Sequence, residues 1–271
     1  MQNFHLPPTG YGPGSQPSED GAELEYMQMP QDMRTYSPRL PEAEGVPAAA
    51  LEFLLALAGA CERVARGGAA ERFALSSLEA DARRIVADTL QDGEVAMKIR
   101  GIPAIRVQES VFAGVWTLSG AGVDAVEVAQ VPSDALARAF EPCRPAKTDR
   151  PGPGVVNAPA LLSELQDHSA NPGVALHVIN LSLLPHTEED LAWLAARLGE
   201  GSTDILSRGY GNCRITATAL PRCWHVQFYN STDQLILDTY EITTMPEVAL
   251  AATEDLADSA ERLRDVVEAI R

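Results

Sequence analysis

The chain has 271 residues, with 21 Lys and Arg against 38 Asp and Glu, for a formal net charge of −17. The length suits one large domain or two small ones, and 45% apolar residues exclude a wholly disordered protein. So negative a chain is a poor partner for nucleic acid or anionic lipid, which select Lys/Arg surfaces, and no apolar run approaches the ~18 residues of a membrane span.

The first five residues, Met1 to His5, lack the charged and apolar regions of a signal peptide, so a cytoplasmic location is expected. Residues 1–46 hold seven of the nineteen prolines and four of the six methionines, and read as an extended or disordered arm. Met27 and Met29 are adaptable apolar contacts, which serve equally to hold the arm on its own domain or to meet a partner.

From Pro47 the pattern turns helical. Leu51, Leu54, Leu55, Ala58 and Cys61 mark one face of a helix over 48–66, ended by Gly67-Gly68. A second amphipathic helix covers 78–90. Alternation at Val95, Met97 and Ile99, then over 111–118 and 123–128, predicts antiparallel strands, and 134–140 a short helix. The Pro/Gly-rich stretch 142–157 reads as a linker. Beyond it the same order recurs: helix 158–168, strand 174–181, helix 187–198 with a Thr187-x-x-Asp190 cap, then strands 214–218, 224–229 and 235–242. Leu90–Ile99 matches Leu206–Ile215, and Val126–Val128 matches Tyr240–Ile242. The expected fold is therefore α+β: two related lobes from an internal repeat, 47–141 and 158–271, each an antiparallel sheet packed with helices. A capping box at Thr244-x-x-Glu247 predicts a long final helix, whose Glu254, Asp255, Asp258, Glu261, Asp265 and Glu268 make either an ordinary solvated face or an acidic docking face.

Chemistry is sparse. There is no G-x-S-x-G elbow, no phosphate-binding glycine loop and no CxxC pair, so no catalytic residue, cofactor or enzyme activity is expected. Cys223 and His225 share a strand face and Cys213 lies on a neighbouring strand, which leaves two readings: buried core thiols, or a metal- or Fe–S-handling site. The segment Arg208, Gly209, Tyr210, Gly211, Asn212, Arg214 concentrates two arginines and two glycines around a tyrosine. It reads either as a turn with solvated arginines or as a partner-binding loop, with Met27 and Met29 as further contact residues.

The runs Arg208–Ile215 (RGYGNCRI), Trp224–Ser231 (WHVQFYNS), Tyr240–Ile242 and Met245–Leu256 (MPEVALAATEDL), with Gly12–Pro17 and Met29-Pro30 in the arm, resemble the HupH/HyaF/HoxQ family of [NiFe]-hydrogenase maturation proteins. The resemblance spans nearly the whole chain and is strongest over 206–264. It implies a dedicated chaperone that binds the iron–sulfur small subunit precursor before export, with its twin-arginine signal peptide, and other hydrogenase accessory proteins as further partners. An acidic surface suits such a partner, because carboxylates accept arginine bidentately and speed the encounter.

Overall fold

The computed structural model describes residues 45–171, 173, 176–209 and 211–271; the N-terminal arm, and with it Met27 and Met29, lies outside them. Helix α1, Ala48–Ala65, is an Ala/Leu segment. It stops where Gly67 takes a φ of +86°, letting the Gly67 and Gly68 amides return to the carbonyls of Val64 and Arg63 at 2.9 Å each. α2 spans Ala80–Leu90 and α3 Ser133–Arg138; α4 is Ala158–Ala170 and α5 Glu188–Leu198. The expected capping box holds α5: Thr187 Oγ1 accepts the Asp190 amide at 2.9 Å and Asp190 Oδ2 accepts the Thr187 amide at 3.1 Å.

The strands are β1 Glu71–Ala74, β2 Val95–Ile99, β3 Ile105–Glu109, β4 Val115–Gly120, β5 Val123–Val128, β6 His177–Asn180, β7 Thr203–Ser207, β8 Asn212–Ala217, β9 Cys223–Tyr229 and β10 Leu235–Ile242. They form one ten-stranded sheet in the order β1-β5-β4-β3-β2-β7-β8-β9-β10-β6, antiparallel throughout. The expectation of a separate sheet in each half is not met, because β2 bonds directly to β7, Val95 opposite Ser207 through Ile99 opposite Thr203. The strand order reads alike from either end. Val126–Val128 and Tyr240–Ile242 occupy matching places, on β5 and β10. The other sequence match sets β2 against β8, whereas the order of elements sets β2 against β7.

Register assigns the two faces of the sheet. Met97, Ile105, Val107, Trp116, Leu118, Ile205, Ile215, Trp224 and Val226 point to one face and make a core with Ala135 and Ala139 from α3 and its end, and with Met245 and Ala249. On the opposite face, Val115, Val126 and Val128 pack beneath α1, α2 and α6 at one end. At the other end Ile179, Tyr240, Ile242 and Cys223 pack beneath α4 and α5. The final helix, α6, is Thr253–Ala269 and starts later than the Thr244 cap predicts. Glu247–Ala249 is a single 3-10 turn, after which the Ala251 amide donates to the Gln130 carbonyl at 2.9 Å; that extended clamp delays the helix. α6 then crosses back to lie on α1, with Leu256 and Leu263 fully buried in the first-half core.

Candidate functional site

Following the register across the sheet, Thr117 pairs with Gln108, Gln108 with Ala96, Arg106 with Lys98, Lys98 with Asp204, and Leu206 with Arg214. These residues share the face that the two helix groups cover at its ends, and between those groups the middle of the sheet is open. The result is a groove of about 790 Å3, floored by Ala96, Lys98, Arg106, Gln108, Thr117, Asp204, Leu206, Arg214 and Thr216, with Asp92 on the rim. Apart from Ala96 and Leu206, positions that a covered strand would fill with Val or Ile carry charged, amide or hydroxyl side chains instead, and none of these is buried.

The charge in the groove runs opposite to that of the chain. Asp204 is taken up by Arg100, and its carboxyl is raised by burial, which Arg100 offsets only in part. Among the described residues Lys98 and Arg106 form no ion pair within 4.0 Å. Arg214 lays its guanidinium 4.7 Å from the centre of the Tyr229 ring, a cation–π contact. Three cationic heads and a row of hydroxyls and amides suit a polar or acidic segment lying across the strands. The acidic side chains predicted for α6, from Glu254 to Glu268, are all exposed on its outer face.

The predicted contact loop is the β7–β8 turn at one end of this groove. Arg208 and Gly209 are exposed, with Glu94 close against Gly209, and Gly211 takes a φ of +98°. Asn212 Nδ2 donates to Asp233 Oδ1 at 3.2 Å, tying the turn to the β9–β10 turn. Of the predicted residues, Arg214 lies in the groove, Arg208, Gly209, Gly211 and Asn212 flank it, and Tyr210 falls outside the described residues. Lys98, Arg106 and Asp204 escaped the sequence reading. Their signal was a charge at alternate positions of inner strands, visible only once the strands are ordered in the sheet.

The Cys213, Cys223, His225 constellation does not form. Cys213 pairs with Phe228, and Trp224 with Ala217, so Cys213 faces the Trp224 core. Cys223 and His225 point through the opposite face, where Cys223 joins the core under α4 and α5. One strand of register therefore separates thiols that sequence spacing alone could bring together. Burial pushes both thiols up to about 12. His225 instead sits 2.6 Å from Asp238 and stacks on Tyr240 at 4.5 Å.

Among the described residues no helix is long and apolar enough to cross a membrane. Residues 155–270 match the sequence model of the HupH hydrogenase expression protein C-terminal conserved region, which defines the class. The similarity extends to the whole chain. Hydrogenase expression/formation protein HupH of Rhodobacter capsulatus is 63% identical over 276 aligned residues, covering all of both chains. Hydrogenase expression/formation protein HoxQ of Cupriavidus necator is 42% identical, covering 99% of this chain and 98% of that one. Hydrogenase-1 operon protein HyaF of Escherichia coli is 35% identical over 72% of this chain and 71% of its own. A solved hydrogenase expression protein HupH from Thiobacillus denitrificans is 29% identical, with a TM-score of 0.38 over 40% of this chain and 92% of that chain. The chain belongs to the HupH/HoxQ/HyaF family of hydrogenase expression/formation proteins.

Proposed function

We propose that the chain is a non-catalytic chaperone for an uptake [NiFe]-hydrogenase, which binds the iron–sulfur small subunit precursor in the cytoplasm before export. The observation that supports this reading is full-length similarity, at 63% and 42% identity, to proteins named for hydrogenase expression and formation. The contact surface is the groove with the β7–β8 turn: Arg208, Gly209, Tyr210, Gly211, Asn212 and Arg214, joined by Met27 and Met29 of the arm. The basic groove takes polar or acidic chain of the small subunit, whereas the arginine pair of a twin-arginine signal is better met by carboxylates such as those on α6. In this reading 47–141 and 158–271 descend from one duplicated α+β unit joined through 142–157. Two features support that: Trp116 pairs with Glu127 on β4–β5 as Trp224 pairs with Glu241 on β9–β10, and a Leu-Ser-x-Leu turn follows both β1 and β6. Other hydrogenase accessory proteins bind the same complex.

The test is co-purification of the full-length chain with the small subunit precursor and with a signal-less form, at low and moderate salt. Binding of the precursor that weakens about tenfold or more with Arg214→Glu supports the reading. Retention of neither form at low salt overturns it.

A further inference from the structure

The corner where α4 meets the edge strand β6 has a different chemistry from the groove. Glu164 and His168 stand four residues apart on α4, hence on one face of the helix, and His177 opens β6. One ligand atom from each of the three lies within 4.8 Å of the other two. His177 Nε2 is 3.0 Å from Glu164 Oε1, yet it is buried and not aligned in a hydrogen bond. The His168 and His177 rings lie parallel, 3.6 Å apart and 8° from coplanar.

The topologically matching corner of the first half shows what the fold needs there. Arg63 of α1 meets Glu71, the first residue of β1, in a bidentate pair of 2.6 and 2.8 Å. A single ion pair suffices to tie helix to edge strand. The second half makes the equivalent helix-to-strand contact, His177 Nε2 to Glu164 Oε1 at 3.0 Å, and adds His168 beside it, while the buried His177 Nε2 has no aligned hydrogen bond among the described residues. Tetrahedral ligands bound at about 2.0–2.2 Å stand about 3.3–3.6 Å apart, so two atoms at 3.0 Å without hydrogen-bond alignment need separate by only a few tenths of an ångström to share a cation.

We propose that Glu164, His168 and His177 bind a divalent zinc-class cation. Two imidazoles and one carboxylate are a borderline N/O donor set with high affinity for Zn2+, and a water completes the tetrahedron. Binding the ion requires one imidazole to tilt out of the parallel stack, because the in-plane lone pairs of two stacked rings do not converge. Because the three ligands bracket the α4–β6 connection, the bound ion fastens the edge strand to its helix. This inference is independent of the proposed partner and stands or falls separately.

The experiment titrates Zn2+ into the full-length, chelator-washed Cys143→Ser protein against a competing chromophoric chelator, with native folding checked by circular dichroism. The expected result is one Zn2+ per chain, an affinity reduced at least about tenfold by His168→Ala and His177→Ala, less by Glu164→Gln, and unchanged by His5→Ala, His186→Ala or His225→Ala. Co2+ in place of Zn2+ gives visible d–d bands without a thiolate charge-transfer band. If His177→Ala fails to fold, His168→Gln carries the comparison. Absence of stoichiometric uptake, uptake unaffected by the α4 variants, or a thiolate band overturns the proposal.

Discussion

Gly114 and Leu256 meet where the β3–β4 turn is pressed beneath the start of α6, and their coupling can be measured. Gly114 has a φ of +77°, its amide donates to Glu109 Oε1 at 3.2 Å, and its carbonyl accepts the Ala129 amide at 3.0 Å. A Cβ at this position would stand 2.8 Å from Leu256 Cγ, closer still to Leu256 Cδ2, and 3.2 Å from the Ala129 carbonyl. Gly114→Ala therefore incurs about 1–2 kcal/mol for the left-handed backbone and about 1–3 kcal/mol for overpacking. Leu256 is fully buried, so Leu256→Ala alone costs about 3 kcal/mol in lost burial and cavity. The double variant removes the side chain that the new methyl strikes, leaving the backbone cost and the tight Ala129 contact. It is expected to be less destabilised than the sum of the singles by about 1–3 kcal/mol. Urea unfolding of the full-length chain, followed by tryptophan fluorescence, gives the cycle. Additivity within about 0.5 kcal/mol would refute the assignment of Leu256 as the group that excludes a side chain at 114.

Three further outcomes follow from the same packing. Glu109 is raised from 4.5 to about 7 by burial, reinforced by Glu94 and Asp255 and opposed by the Gly114 and Val95 amides. The folded state thus holds its proton more tightly than the unfolded one, so stability falls as pH rises from about 4.5 to about 7, on the order of 3 kcal/mol in all; Glu109→Gln flattens that window in thermal melts, and an unchanged slope would contradict the burial. Thr187→Ala breaks the α5 capping box and is expected to cost about 1 kcal/mol, read as a Tm drop of about 2–4 °C. Cys143 is exposed while Cys61, Cys213 and Cys223 are buried and pushed up to about 12, so a thiol reagent should label one cysteine per native chain and the other three only after denaturation. Rapid native labelling of Cys213 or Cys223 would show that the strand faces are misassigned.

Much of the α+β character was legible because its helices carry strong periodic stripes. Leu54, Ala58 and Cys61 of α1 and Leu256 and Leu263 of α6 are buried as the spacing implies, whereas Leu55, placed on the same α1 stripe, is exposed. The elements that periodicity missed are those with weak local signals. β1 is four residues of Glu-Arg-Phe-Ala at a sheet edge, β3 alternates apolar with charged or polar side chains because one of its faces is the floor of the groove, and β7, Thr-Asp-Ile-Leu-Ser, shows no clean alternation. That same alternation hid Lys98, Arg106 and Asp204, since a charged strand face resembles ordinary solvent exposure until its neighbours are known. The helix-start signal at Thr244-x-x-Glu247 misled because the Ala251–Gln130 bond, a long-range contact, overrides a local cap. The β7–β8 turn was visible as a cluster of glycines and arginines, but its place at the end of a groove depends on the β2–β7 pairing.

That pairing and the return of α6 set the terms on which the chain matures as it leaves the ribosome. β2 finds β7 only after more than a hundred residues of intervening chain, and α1 waits for a helix that ends at Ala269. The first half therefore emerges with an unpaired sheet edge and an uncovered helix face; the edge is closed once β7 follows, the helix face only once α6 does. Removal of even a few turns of α6 therefore exposes the apolar surface that α1 presents from the beginning.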